Sequence, residues 1–136
     1  MSQKTNQHTI VAIFKQFEQY NRLHDTSKPL FFDTETTGGG REYQIIEIAF
    51  CDSDRNLIID TLIYTDRLSG PGAFKVHGIH PHELIGKPTF IDIQPAIVQL
   101  LKGRTLSAYN ASFDIRMMRQ SGHKLRMQQV DVKCMC

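Results

Sequence analysis

The sequence has 136 residues, of which 40% are hydrophobic and 22% are charged, and its formal net charge at pH 7 is +2. This length allows one hydrophobic core rather than two, and the composition is that of an ordinary water-soluble globular protein. No apolar stretch approaches the ~20 residues that span a bilayer, and residues 1–7 lack the apolar core of a signal peptide, so we expect a cytoplasmic protein that does not contact membranes.

The first predicted element is an amphipathic helix over residues 8–23, where apolar residues recur at helical spacing and polar residues fill the other face. A polar segment that contains Pro29 ends the helix. We therefore assign residues 1–28 to an N-terminal helix and linker, and residues 29–136 to the main domain. Packing of the helix on its own domain is the favoured interpretation, and docking on another chain is the alternative.

A short buried strand follows at residues 30–33, and it runs directly into the carboxylates Asp33 and Glu35. Because side chains alternate along a strand, both carboxylates project from one face, about 6.5 to 7 Å apart along the backbone. Their hard oxygen ligands suit Mg²⁺ or Mn²⁺. An isolated pair of this kind is more often a solvated surface feature, so a metal site needs a further acid from another element.

The middle of the chain predicts a hairpin and then a long loop. Residues 44–50 and 57–64 have the composition of strands, and the turn-forming residues 52–56 join them, which predicts an antiparallel pair. Residues 65–89 are rich in Gly, Pro and His. That composition is typical of a functional surface loop, in which we expect one short helical turn.

The remaining segments predict helices that alternate with strands. Apolar spacing favours a helix over residues 90–101, a fourth strand over 105–109, a helix over 112–122 and the start of a fifth strand at 130–132. Strands and helices in this order predict an α/β fold with a mixed sheet flanked by helices.

A second acidic motif, Asn110-Ala111-Ser112-Phe113-Asp114, follows the fourth predicted strand directly. It places Asp114 in the first turn of the next helix. If the first and fourth strands are neighbours, Asp114 joins Asp33 and Glu35. Three clustered carboxylates are costly to assemble unless cations neutralise them, so this arrangement predicts bound metal.

These two motifs resemble a known family. The segments Phe32-Asp33-Thr34-Glu35-Thr36-Thr37-Gly38 and Asn110-Ala111-Ser112-Phe113-Asp114 are similar to the first and second motifs of the DEDD (DnaQ-like) 3′-5′ exonucleases, which include the proofreading subunit of the bacterial replicative polymerase. Between them, Val76-His77-Gly78-Ile79 is similar to a family segment that lines the nucleotide pocket. The resemblance covers about residues 29–133.

The resemblance implies a ribonuclease H-like fold and two divalent cations, Mg²⁺ or Mn²⁺. By position, Asp33 would bridge both metals, Glu35 would bind one metal and the terminal 3′-hydroxyl, and Asp114 would bind the second metal. The implied reaction is hydrolysis of the terminal phosphodiester bond at a 3′ end, in DNA more than in RNA.

The resemblance also implies substrate-binding roles for Thr36, His77 and Asn110. The expected partners are a single-stranded nucleic acid 3′ end and a DNA polymerase subunit. We interpret the nearby His80 and His82 as loop histidines. A zinc site built from His77, His80 and His82 is the less favoured alternative.

The family has a third motif, downstream of the second, that supplies a His or Tyr general base and a fourth metal-binding Asp. The sequence ends at Cys136 before such a motif, and Asp131 lies at a strand position rather than at that of the fourth acid. We therefore expect a C-terminally incomplete exonuclease domain with weak or no activity. The alternative is a catalytically silent nucleic-acid-binding or polymerase-associated module of the same fold.

Charge is unevenly distributed along the chain. Residues 1–101 carry a net charge of −3, whereas residues 102–136 carry +5. A basic segment beside an acidic metal site favours a phosphate-chain substrate, although a solvated basic helix explains the same pattern equally well. The candidate contacts to a nucleic acid backbone are Lys102, Arg104, Arg116, Arg119, Lys124, Arg126 and Lys133.

Overall fold

The computed structural model describes residues 7–25, 28–38, 44–101, 104–108, 116–117 and 131–134. The helices are α1 (Gln7–Leu23), α2 (Pro71–His77) and α3 (Phe90–Leu101), with a short 3-10 helix at Pro81–Leu84. The strands are β1 (Leu30–Thr36), β2 (Ile45–Asp52), β3 (Leu57–Leu62), β4 (Thr105–Ala108) and β5 (Asp131–Cys134). Over the described ranges, no helix is both long enough and apolar enough to cross a membrane.

The five strands form one mixed sheet in the order β3-β2-β1-β4-β5. Strands β1, β2 and β3 are antiparallel neighbours, which confirms the predicted hairpin, whereas β4 is parallel to β1 and β5 is parallel to β4. Leu30 pairs with Leu106 and Phe31 with Ser107. The first and fourth strands are therefore neighbours, as a cluster of acids from both motifs requires.

The core lies between the sheet and helices α1 and α3. Phe17 of α1 meets Phe50 of β2 edge to face, with ring centroids 6.3 Å apart, and Phe50 stacks on Phe32 of β1 at 5.9 Å. Each ring is at most 5% exposed. Removing such surfaces from water is the main stabilising contribution to folding. Helix α1 thus packs on its own domain, as predicted.

Helix α3 has the predicted bounds because a capping box fixes its start. The Thr89 N–H donates to the Asp92 carboxylate at 3.0 Å, and the Asp92 N–H donates to the Thr89 hydroxyl oxygen at 3.1 Å. These two bonds satisfy amide groups that a helix N-terminus leaves without partners. The apolar face of α3 then enters the core.

Arg104 is buried, so its predicted contact with a nucleic acid backbone is wrong. The side chain is 2% exposed and donates to the Leu100 carbonyl (3.1 Å), the Lys28 carbonyl (3.1 Å) and Asn21 Oδ1 (2.7 Å). These hydrogen bonds satisfy the buried guanidinium and link α1 to the end of α3. Arg116 is exposed. The candidates outside the described residues, or with side chains outside them, are Lys102, Arg119, Lys124, Arg126 and Lys133.

A polar network around Asp52 closes the turn between β2 and β3. Asp52 accepts bonds from the Asp54 and Asn56 amides at 2.9 and 2.8 Å, from the Asn56 side chain at 3.1 Å and from the Tyr20 hydroxyl at 2.9 Å. Burial alone would raise the pKa of Asp52, but these donors outweigh it and lower the pKa to about 2. Burial and the bond to Asp52 raise the pKa of Tyr20 to about 12.

The segment predicted as a loop at residues 65–89 contains more helix than expected. Helix α2 starts with Pro71 at its first turn and ends at Gly78, whose φ of 65° is the left-handed conformation that glycine adopts without a steric penalty. None of the residues of α2 is buried. Hydrophobic periodicity reports a buried face, so the sequence pattern contained no signal for this helix.

Candidate active site

The structure brings Asp33 and Glu35 to one face of β1. Phe32, Thr34 and Thr36 are buried, whereas Asp33 is exposed and Glu35 is partly exposed, so exposure alternates along the strand. This alternation follows from the two-residue period of a strand. Both carboxylates therefore point away from the core that α1 and α3 cover.

Two further carboxylates, Glu47 and Asp60, share this face. Glu47 of β2 pairs directly with Glu35, while Ala49 pairs with Asp33 on one side and Asp60 of β3 on the other. Glu47 and Asp60 share a hydrogen bond. Neither residue was predicted to belong to the site. Glu47 is the single acid within the apolar segment Gln44–Phe50, and that pattern indicates a side chain that points away from the core.

Burial and neighbouring acids raise the pKa values of Glu35 and Glu47. Burial raises the pKa of Glu35, the nearby charge of Asp33 raises it further, and His77 lowers it. Burial raises the pKa of Glu47 to about 7, together with the hydrogen bond to Asp60 and the charges of Asp60, Glu35 and Asp33. Carboxylates that destabilise one another's charged forms are matched to a cation.

A cavity of about 340 Å³ opens between the end of β1 and helix α2. Its lining residues are Thr34, Glu35, Thr36, Gly38, Gly72, Ala73, Val76 and His77. The structure thus places the predicted substrate-binding residues Thr36 and His77 beside Glu35. The Thr36 hydroxyl donates to the Gly38 carbonyl at 2.8 Å, so its oxygen is left to accept a further bond.

Three hydrogen bonds that involve Thr37 hold the two walls of the cavity together. The Gly70 amide, just before α2, donates to the Thr37 carbonyl at 2.8 Å. The Thr37 amide donates to the Gln44 carbonyl at 2.9 Å, and the Gln44 amide donates to the Thr37 hydroxyl oxygen at 3.0 Å. Thr37 is fully buried. The end of β1, the start of β2 and the start of α2 are therefore fixed relative to one another.

His77 is oriented by both ring nitrogens. Its Nδ1 accepts the Ile79 amide proton at 2.9 Å, and its Nε2 lies 3.2 Å from the Ser69 hydroxyl oxygen. A ring nitrogen that accepts a hydrogen bond carries no hydrogen itself. In the neutral ring, Nε2 therefore carries the hydrogen and donates to the Ser69 hydroxyl oxygen. In this arrangement His77 has no free nitrogen with which to act as a general base.

The predicted site residues Asn110 and Asp114 lie outside the described residues. Strand β4, which precedes them, runs parallel to β1, so the carboxyl ends of both strands lie at the same edge of the sheet. Among the residues that the structure describes, no group of three or more His, Cys, Asp or Glu side chains is arranged so that it could hold a metal ion. The alternative zinc site from His77, His80 and His82 is therefore not formed.

Asp33 and Glu35 fit Mg²⁺ or Mn²⁺ as part of a ligand set. Both supply hard carboxylate oxygens from one face, and their mutual repulsion is of the kind that a bound cation relieves. Two protein carboxylates, with the remaining positions taken by water and substrate oxygens, are a common arrangement for Mg²⁺.

Comparisons with known proteins agree on one family. The sequence model of an exonuclease family, RNase_T, matches residues 30–134. The chain is 41% identical over 91 residues to the DNA polymerase III subunit epsilon of Treponema pallidum, which covers 64% of this chain and 42% of that protein. It is 34% identical over 92 residues to an exonuclease of Escherichia phage 186, covering 68% of this chain and 47% of the relative.

A solved structure shares the fold. Escherichia coli exonuclease I, crystallised in complex with a dT13 oligonucleotide, superposes with a TM-score of 0.64 at 22% identity, over 79% of this chain and 28% of that chain. This likeness confirms the predicted ribonuclease H-like fold. The chain spans about half the length of the curated relatives, or less.

Proposed function

The chain belongs to the exonuclease family, as its motifs predicted, and from that premise we propose that it is a 3′-5′ exonuclease domain acting on single-stranded DNA. One observation carries the proposal most directly. Asp33 and Glu35 share one face of β1, and Glu35 also lines the cavity in which Thr36 and His77 lie. Acids that suit a metal therefore stand beside a recess with room for one nucleotide.

The proposed cofactors are two divalent cations held by Asp33, Glu35 and Asp114. When bound, such ions lower the pKa of water and stabilise charge on phosphate oxygens. The protein's own contribution is to position the substrate. Glu35 would accept a hydrogen bond from the terminal 3′-hydroxyl, Thr36 would accept one from the terminal nucleotide, and the oriented His77 ring would form the wall of the pocket.

DNA is the favoured substrate and a DNA polymerase subunit is the proposed partner. The Treponema pallidum relative is named as a polymerase subunit, and exonuclease I was crystallised with a DNA oligonucleotide. RNA is the less favoured substrate. Asn110, which lies outside the described residues, is proposed as a further contact to the terminal nucleotide.

The test is degradation of a 5′-labelled single-stranded DNA in Mg²⁺ or Mn²⁺. We expect a ladder of products shortened from the 3′ end, and no shortening when that end carries a 3′-phosphate. RNA of the same sequence, tested in parallel, shows which sugar is preferred.

Paired variants assign the activity to the acidic face. Asp33→Asn should abolish the ladder. The control Asp54→Asn should leave it unchanged, because Asp54 lies in the turn between β2 and β3, where it pairs with Lys28 at 3.8 Å. Binding of Mn²⁺ and DNA without any cleavage would contradict the proposal and favour the catalytically silent module.

A further inference from the structure

Beyond the cavity, three rings form an exposed row that we call the ring row: Phe74, His80 and His82. The row begins at the pocket, since His77 meets the Phe74 ring edge to face with centroids 6.1 Å apart. The ring centroids of Phe74 and His80 are 5.0 Å apart. His80 stacks on His82, with ring centroids 5.5 Å apart and 19° between the ring planes. Each ring thus contacts the next, outward from the cavity.

The ring row packs on itself and not on the core. Phe74 is 36% exposed and both histidines are exposed, while the neighbouring Val76 is 80% exposed. Aromatic rings bury large surfaces when they find a partner, and contiguous exposed apolar surface often marks an interaction site. The row therefore has the character of a binding surface.

The backbone fixes this row in place. The left-handed Gly78 turns the chain back at the end of α2, and its amide donates to the Phe74 carbonyl at 2.8 Å. The Glu83 carboxylate accepts the His80 amide at 2.6 Å, and the Glu83 amide donates to the His80 carbonyl at 3.0 Å. Pro81 begins the 3-10 helix that presents His82. Rings held in this way lose little entropy on binding.

We propose that the ring row stacks the bases of the nucleotides that precede the terminal one in a single-stranded substrate. The inference rests on the proposed function, which places the terminal nucleotide in the cavity beside His77. Ring faces stack on any base, which suits a degrading enzyme that must accept every sequence. Exposed Lys75, next to Phe74 on α2, adds positive charge for the phosphate chain, and the Glu83 carboxylate is engaged by the backbone.

The ring row predicts an affinity that depends on substrate length. The probes are thymidine 5′-monophosphate and oligothymidylates of about two, three and eight nucleotides, with phosphorothioate linkages that resist hydrolysis. Stacking contributes about 1–3 kcal/mol per base, equivalent to roughly 5- to 150-fold in affinity. We expect His80→Ala/His82→Ala to bind the longer oligomers about 10-fold more weakly and to bind the monophosphate as the unchanged protein does.

Two further variants separate stacking from other effects. His80→Phe/His82→Phe keeps the rings without the imidazole nitrogens and should restore the affinity for the longer oligomers. His24→Ala removes another exposed histidine, which directly follows helix α1 and stacks on Tyr20 with ring centroids 4.2 Å apart, and it should leave binding unchanged. Thermal midpoints check that each variant is folded, which we expect because the substituted rings are exposed.

The outcomes distinguish this inference from the proposed function. Equal binding of long oligomers by the unchanged protein and the double alanine variant would overturn the role of the ring row while leaving the exonuclease proposal standing. Failure of the phenylalanine variant to rescue binding would overturn stacking in favour of imidazole hydrogen bonds. If the unchanged protein binds neither the monophosphate nor any oligomer, the exonuclease proposal fails and this inference fails with it.

Discussion

Strand β2 carries two carboxylates whose environments have opposite effects. Asp52, at its end, accepts hydrogen bonds from the backbone amides of Asp54 and Asn56, from the Asn56 side chain and from the Tyr20 hydroxyl. These bonds lower its pKa to about 2. Glu47, near its start, has Asp60, Glu35 and Asp33 as neighbours, and its pKa rises to about 7. The same strand thus places one acid among donors, where its charge stabilises the fold, and another among acids, where charge destabilises it.

The contrast shows that the carboxylates on the face of Asp33, Glu35, Glu47 and Asp60 reduce the stability of the fold when they are charged. Natural proteins often break local rules of charge pairing at functional sites and compensate elsewhere. Here the turn between β2 and β3 supplies the well-paired acid, and the opposite end of the same strands supplies the cluster.

Glu35→Gln should have the largest effect, because Glu35 belongs to both the acidic face and the cavity. We expect hydrolysis to fall by about 100-fold or more, since a lost carboxylate weakens metal binding and substrate positioning together. Stability without metal should not fall, because burial and Asp33 already disfavour the charged form of Glu35. Rate measurements and urea denaturation check the two parts.

The matched control for that variant is Glu18→Gln. Glu18 is an exposed acid on α1 that pairs with Arg22 at 3.5 Å. A surface pair of this kind contributes little, so both rate and stability should stay unchanged. A comparable loss of activity in both variants would mean that the acidic face is not special.

Asp52→Ala should lower the free energy of unfolding by about 2 kcal/mol, since it leaves several partly buried hydrogen bonds without their acceptor. The pH dependence follows from the lowered pKa. Because the folded value of about 2 lies below the ordinary 3.8, this contribution is present above pH 4 and is lost as pH falls toward 2. Urea denaturation from pH 7 to pH 2 measures both effects, and Asp54→Ala, an exposed neighbour in the same turn, should lose little.

Gly72→Leu tests the cavity without removing any charge. A Cβ at Gly72 meets no atom within 4 Å, so a larger side chain enters open space beside the cavity. We expect about 10-fold weaker binding of thymidine 5′-monophosphate. Stability should rise by about 0.5–1 kcal/mol, because glycine is unfavourable inside a helix. Gly72→Ala should show the gain in stability with a smaller loss of binding, and unchanged binding in both variants would place the nucleotide elsewhere.

Elements with a buried face could be predicted from the sequence. The bounds of α3 are those expected, and α1 starts at Gln7, one residue before the predicted start, because packing imposes a periodicity that the pattern reveals. Helix α2 could not be predicted in this way, since none of its residues is buried. Its start and end depend on Pro71 and Gly78, which are equally common in loops.

The candidate site was predictable only in part for a related reason. Alternation along one strand was enough to put Asp33 and Glu35 on the same face. The positions of Glu47 and Asp60 depend on pairing between strands, which shifts at Glu35/Thr36 and again at Phe50/Cys51. A shift of one residue moves a side chain to the opposite face, and local sequence does not specify such irregularities.

Glu47→Gln should have the smallest effect, and it tests the other half of the contrast on β2. The folded pKa of about 7 lies above the ordinary 4.5, so the protonated form of Glu47 stabilises the fold below pH 4.5 and this contribution is lost as pH rises through 7. Without divalent cations, the variant should match the unchanged protein at pH 4 and be more stable at pH 8. Solvent screening of this partly exposed group limits the difference to about 1 kcal/mol. Opposite signs for Asp52→Ala and Glu47→Gln at pH 8 would establish the contrast, whereas a loss of stability in both variants would show that Glu47 is a structural acid as Asp52 is.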